Sequence, residues 1–420
     1  MTTVHQRKPT DEDALDWDTP TIESLGDGMT PAVKAGPFGS ALTKDQYVPV
    51  GFKVYGQEQV IRGDHTYGDY FISPKKYREL ESCAVRPGDV LLSLVGTVGR
   101  LLEIPEGALP GVINPRLIRF SLNKKLVDSR FFRHLFESAV VQRQLEQLAQ
   151  GGTMGVLNAG VLRSFRISLP KITEQRAIAT ALSDVDALIA GLERLIAKKR
   201  DIKQATMQQL LTGQTRLPGF SGEWSRKRLG ELAEMGSGGT PPAGNPGYYG
   251  GNIPWVAISD MTQAGKFLER TERSLSDAGL ANSAAQLFPA GTVLYAMYAS
   301  LGECSIACMD LCTSQAILGI RPRAGLIRDF LYYVLTSRRE LVKTMGQQGT
   351  QSNLNKGIVQ GFEILLPPVE EQTSIATVLS DMDADIEALE SRLAKTRAIK
   401  QGMMQELLTG RTRLPEVGEK

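Results

Sequence analysis

A chain of 420 residues exceeds one ordinary core and, at roughly 150 residues per domain, accommodates two or three. Its 42% hydrophobic and 22% charged residues exclude a disordered or fibrous protein, and four cysteines are too few for a disulfide framework. The net charge of +2 excludes a global electrostatic field, so any nucleic-acid surface must be a local patch. No run approaches the roughly 20 apolar residues of a membrane span, and the polar N-terminus lacks a secretory core, so a cytoplasmic location is expected.

Residues 1–168 read as a first mixed α and β domain. The β-branched run 90–95 predicts a strand and the run 129–150 a helix, with glycine and proline turn signals between them. Binding is expected in the glycine-rich and polar loops. The candidates are Phe38, Gly39, Ser40 and Lys44; Tyr55 and Gln57; Ser93, Thr97 and Arg100; and Thr153 and Asn158. Such side chains donate to phosphates and to base edges.

Residues 169–218 change character. A Leu169-Pro170 opening precedes apolar residues at four–three spacing, namely Ile178, Leu182, Val185, Ile189, Leu192 and Ile196, with Ile202 and Leu210 beyond. This is a coiled-coil seam. From Glu174 to Leu211 it predicts a helix of roughly 57 Å at about 1.5 Å per residue, ended by Gly213.

Residues 219–365 read as a second mixed domain, with strand character at 292–298 and a helix at 327–346. Its candidate binding residues are Gly239, Thr240, Tyr248, Tyr249, Trp255, Tyr298, Ser300, Thr350, Gln351, Ser352, Asn355 and Lys356, with Lys266 nearby. Asn245-Pro246-Gly247-Tyr248-Tyr249 resembles the adenine-methyltransferase tetrapeptide Asn-Pro-Pro-Tyr, but a glycine replaces the second proline and no glycine-rich cofactor strand accompanies it, so a turn is expected. No phosphate-binding loop ends in Gly-Lys-Ser/Thr. Cys304, Cys308 and Cys312 recur every four residues; without a histidine nearby they read as buried small side chains rather than a zinc site. His5, His65 and His134 form no evident triad, and no metal or catalytic residue is expected.

Residues 366–420 repeat the earlier segment. Aligned at an offset of 197, residues 169–218 and 366–415 are identical at 31 of 50 positions. The second seam is Ile375, Leu379, Met382, Ile386, Leu389 and Leu393, followed by Ile399, Leu407 and the terminating Gly410. Weaker landmarks recur in the domains: Trp17 answers to Trp224, Gly88-Asp89-Val90-Leu91 to Gly291-Thr292-Val293-Leu294. A rod with an apolar seam needs a partner, and the other copy supplies one. A helix that leaves the first domain and ends at the second must be met by one running back, so the expected fold is α+β, with two mixed domains joined by two long antiparallel helices in a pseudo-two-fold coiled coil. The C-terminus should return to the first domain.

Leu169-Pro170 with Glu174-Gln175, Leu366-Pro367-Pro368 with Glu371-Gln372, and the two Leu-Leu-Thr-Gly ends resemble the conserved spacer regions of type I restriction-modification specificity subunits. Residues 238–255 and 39–59 resemble the openings of target-recognition domains. Lys171 departs from the double proline of the second copy. The resemblance spans nearly the whole chain. It implies a non-catalytic subunit with target-recognition domains at 1–168 and 219–365 and conserved spacer helices at 169–218 and 366–420, reading a bipartite site in double-stranded DNA. It further implies two modification (methyltransferase) subunits that bring S-adenosylmethionine and methylate adenine, and a restriction subunit that brings ATP and Mg. The other readings are a coiled-coil scaffold with protein-binding end domains and a DNA methyltransferase in its own right.

Overall fold

The computed structural model describes residues 17–94, 99–150, 158–348 and 354–414. The chain divides into two units: one runs to Leu192 and resumes at Arg392, the other is Glu193–Ser391. Each unit holds one sheet-rich domain, the start of the long helix that follows it and the end of the other long helix.

The repeated segments form the helices Ile172–Leu211 and Val369–Leu407. Both are followed by glycine in the left-handed region, Gly213 at φ +71° and Gly410 at φ +70°, a conformation that a side chain would oppose. Ile178, Leu182, Leu192, Ile196, Ile375, Leu379, Ile386 and Leu393 are buried, while Val185, Ile189, Met382 and Leu389 are half-buried. Within each unit the helix segments run antiparallel. In the first, Glu174 meets Arg413 and Asp186 meets Lys400; in the second, Glu371 meets Arg216, Asp383 meets Lys203 and Asp385 meets Lys199.

Two expectations about the seam need correcting. Ile202 and Ile399 are 44% and 49% exposed. The six residues from Ile196 to Ile202 advance about 600°, well off the seam, whereas the eleven to Met207 return to it, and Met207 is buried. The first turns of each helix also bury against their own domain rather than only against the other helix. Ile178, Ala179 and Leu182 share a core with Phe131, Phe132 and Phe136, to which Leu407 and Leu408 contribute. Ile375, Ala376 and Leu379 share one with Phe330, Tyr333, Leu210 and Leu211.

Each domain stacks its core between sheets and helices. In the first unit an antiparallel sheet is ordered Val33–Ala35, Leu117–Phe120, Val90–Ser93, Leu101–Glu103. A second sheet is ordered Tyr47–Val48, Phe71–Ile72, Phe52–Tyr55, Gly111–Ile113, Ala84–Val85, with one parallel pairing between Phe52–Tyr55 and Gly111–Ile113. The second unit repeats the first sheet as Ala233–Ser237, Ile317–Pro322, Val293–Ala296, Cys304–Ala307, and adds Phe267–Leu268 at its edge. Its other sheet is ordered Arg273–Leu275, Tyr249–Val256, Leu311–Thr313, Leu287–Phe288, again with one parallel pairing, between Tyr249–Val256 and Leu311–Thr313.

The expected helices at 129–150 and 327–346 are each broken once, giving Ser129–Glu137 with Ala139–Gln150 and Arg328–Ser337 with Arg339–Gln348. Cys304 and Cys312 are buried in different sheets, but Cys308 is exposed, because it lies past the end of Cys304–Ala307. No described helix is long and apolar enough to cross a membrane.

Candidate nucleic-acid interface

The shared Glu-Gln pair fastens each domain to its helix. Gln175 Nε2 donates to the carbonyls of Leu126 (2.9 Å) and Pro170 (2.8 Å), and its Oε1 accepts from Asp128 N (3.0 Å). Gln372 does the same with Gly325 (2.8 Å), Pro367 (2.9 Å) and Ile327 N (2.8 Å). Each buried amide thereby satisfies domain backbone groups that would otherwise lose water without compensation. The glutamates take the arginine of the other repeat's tail: Arg413 Nε and Nη2 donate to Glu174 at 2.5 and 2.7 Å, Arg216 Nε and Nη2 to Glu371 at 2.5 and 2.6 Å. Both guanidiniums also lie near the tryptophans that answer to each other, Trp17 (5.8 Å) and Trp224 (5.2 Å).

Beyond the helices the candidate residues sort by exposure. Phe38, Gly39, Ser40, Lys44, Arg100, Thr240, Tyr298 and Lys356 are exposed, and Gln57, Tyr248 and Ser300 half-buried. Phe38, at 84% exposed, stands clear of its own core. Asn158 and Asn355 are exposed, but their side-chain oxygens are engaged as helix N-caps, accepting from Val161 N and Ile358 N, both at 3.0 Å. Thr97, Thr153, Thr350, Gln351 and Ser352 lie outside the described residues.

Several candidates build the loops instead of facing outward. Tyr55 is buried in the core and its hydroxyl donates to Leu109 O at 2.6 Å; burial pushes that phenol up to about 12. Ser93 is buried within Val90–Ser93. Trp255 is buried, donates from Nε1 to Gly239 O at 3.1 Å and meets Tyr249 edge-on, while the Tyr249 hydroxyl donates to Pro241 O at 2.6 Å. Gly239 is buried beneath them. In these loops the polar groups were legible as polar, but tertiary packing turned them inward. Lys266 likewise serves its own unit, donating to Ser380 Oγ (2.8 Å) and Tyr333 Oη (3.1 Å) beside Asp329. Asn245 to Tyr249 form the expected turn, with the 3-10 segment Pro246–Tyr248 capped by Asn245.

A feature without glycine or motif escapes sequence reading. The turn Asn114-Pro115-Arg116 carries the chain from the second sheet to the first, between Gly111–Ile113 and Leu117–Phe120. Asn114 N donates to Tyr55 O (2.8 Å), Leu117 N to Asn114 O (3.2 Å), Leu94 N to Arg116 O (3.0 Å) and Gly36 N to Leu117 O (3.0 Å). The turn Ser314-Gln315-Ala316 of the second unit repeats all four bonds: Ser314 N to Val256 O (2.9 Å), Ile317 N to Ser314 O (3.1 Å), Met297 N to Ala316 O (2.8 Å) and Gly238 N to Ile317 O (3.1 Å). Gly36 and Gly238 press on these turns so closely that a Cβ would overlap the backbone carbonyls of Asn114 and Ser314. Only glycine fits. Pro115, Arg116 and Gln315 are exposed at the tips.

Residues 39–199 and 221–396 each match the model of the type I restriction modification DNA specificity domain. The chain is 32% identical to the specificity subunit of the type I restriction enzyme MjaIX of Methanocaldococcus jannaschii, over 39% of each chain. It is 23% identical to the specificity subunit of EcoKI of Escherichia coli K12, over 87% of this chain and 82% of that one. Its fold is similar to that of a chain from a solved type I R-M system, at TM-score 0.61 and 20% identity over 93% and 97% of the two chains. It is also similar to the S subunit of a type I restriction-modification system from M. genitalium, at TM-score 0.57 and 16% identity over 95% and 98%. The two matched stretches coincide with the two sheet-rich domains and the helix segments that follow them, and the chain belongs to the type I restriction modification DNA specificity domain family.

Proposed function

We propose that the chain is the DNA sequence-reading subunit of a type I restriction-modification complex, each domain reading one half of a bipartite site in duplex DNA. The observation that carries this is the pair of specificity-domain matches, each on a domain whose loops and short helical turns hold exposed polar and charged side chains: Lys44, Arg100 and Arg116 in the first, Thr240, Gln315 and Lys356 in the second. In this reading the chain is non-catalytic and works in the cytoplasm. Two modification subunits bring S-adenosylmethionine and methylate adenine, and a restriction subunit brings ATP and Mg. The long helices, continuous from one unit into the other, set the gap between half-sites and carry the partners.

The test is methylation mapping of DNA exposed to the full chain assembled with its modification subunits. A split recognition sequence is the expected result. Replacing residues 219–365 with another recognition domain should change one half and leave the other intact; concerted change in both halves overturns independent reading. The chain alone, given DNA and each cofactor, should be inert, and turnover abolished by substitution within 245–249 would favour a methyltransferase.

A further inference from the structure

The turns between the two sheets join a backbone held alike in both units to tips that differ. Their backbone is held by the same four hydrogen bonds in both units, while the outward side chains are unrelated. A reader needs that combination, a fixed platform with an interchangeable tip, because a base contact requires placement to within a fraction of an ångström. Arg116 is further fixed by an Asx bond from its own N–H to Asn114 Oδ1 (2.9 Å), yet its exposed guanidinium makes no hydrogen bond or ion pair with any described residue. The Gln315 side chain is oriented by the Thr240 hydroxyl, which donates to Oε1. That leaves one Oε1 lone pair and the Nε2 hydrogens facing solvent.

Resting on the sequence-reading function proposed above, we infer that these turns are the base-reading tips of the two domains, with Arg116 reading a guanine in one half-site and Gln315 an adenine in the other. Arginine's fork matches guanine O6 and N7, and a glutamine amide matches adenine N6 and N7. Arg116 and Gln315 occupy neighbouring rather than identical positions of the turn, since Arg116 answers to Ala316 and Gln315 to Pro115. The two halves should therefore differ in where the read base falls. Thr240 acts as a positioning residue for Gln315. Lys44 and Arg100 are also exposed in the first unit, and cations of this kind contact phosphates without selecting a base.

The experiment uses the full chain assembled with its modification subunits, offered a DNA library randomised in both half-sites. Bound and methylated sequences are read for the natural complex and for Arg116→Ala, Gln315→Ala and Gln315→Glu. Arg116→Ala should make one G·C position degenerate and weaken binding to the natural site by roughly 5- to 150-fold, the share of a bidentate base pair. Gln315→Ala should do so at one A·T position of the other half, and Gln315→Glu should shift that position toward cytosine, whose N4 donates to a carboxylate. The untouched half reports that each variant is folded and assembled. A natural complex that selects no bipartite sequence defeats the functional reading itself. A natural bipartite sequence that all variants retain overturns the assignment of these turns. So does a uniform loss of affinity on every sequence, which marks phosphate contacts.

Discussion

At the residue scale, the two domains solve one packing problem in different ways. Arg119 is buried in the first unit, donating to Ala84 O and lying 3.8 Å from Asp89, whose other oxygen accepts from Ser121 Oγ at 2.6 Å. Burial pushes the Asp89 carboxyl up and the Arg119 guanidinium down, and Asp89 is the main opposite charge that offsets the burial of Arg119. The answering position in the second unit is Gly319, against which Phe288 packs. Asp89→Asn should therefore destabilise the first unit by about 3–5 kcal/mol in denaturant titration, the cost of leaving a buried charge unpaired; a change below 1 kcal/mol would show that Arg119 does not depend on it. His134 is buried against Ser183 (3.3 Å) and Asp186 (3.9 Å), and burial, helped by Arg133, pushes its imidazole down to about 4. A histidine lowered in the folded state contributes stability above its ordinary value near 6.5 and loses it as pH falls toward 4. The loss should reach about 3 kcal/mol, at about 1.4 kcal/mol per pH unit. Melting of the first unit should drop across that window, and His134→Gln should flatten the drop.

At the element scale, the near-identity of the repeats follows from contacts made at both ends of each long helix. Gln175 and Gln372 lock a domain to the start of its helix, and Glu174 and Glu371 receive the tail of the other repeat. Gln372→Ala removes three hydrogen bonds and strands buried backbone groups, so it should cost about 2 kcal/mol or more. Differential scanning calorimetry should place the loss in the transition of the second unit; loss confined to the first would contradict the contact. The helices and their seam were legible because period and capping are local, written into successive residues. The same local reading misplaced Ile202 and Ile399, since six residues do not return a helix to its seam. It also could not see that the first seam layers belong to domain cores, because Phe131 and Phe330 are brought to them only by folding.

At the scale of the whole molecule, each unit is closed by a segment distant in sequence. The second unit is clasped by Arg216 from mid-chain, the first by Arg413 near the end. Ending the chain after Gly410 should speed backbone hydrogen exchange at 172–182 while leaving 369–379 unchanged, as read by mass spectrometry; equal acceleration at both would refute separate clasping. The sequence by itself determined the duplication, the two long helices, their antiparallel sense and the return of the C-terminus, because repetition and helical period are carried by the order of residues alone. Only the tertiary structure decided which polar side chains face outward. Tyr55, Ser93 and Trp255 turned in, and Arg116 and Gln315 emerged on turns without a motif, because exposure there is fixed by where two sheets meet, and strands far apart in the chain supply that junction.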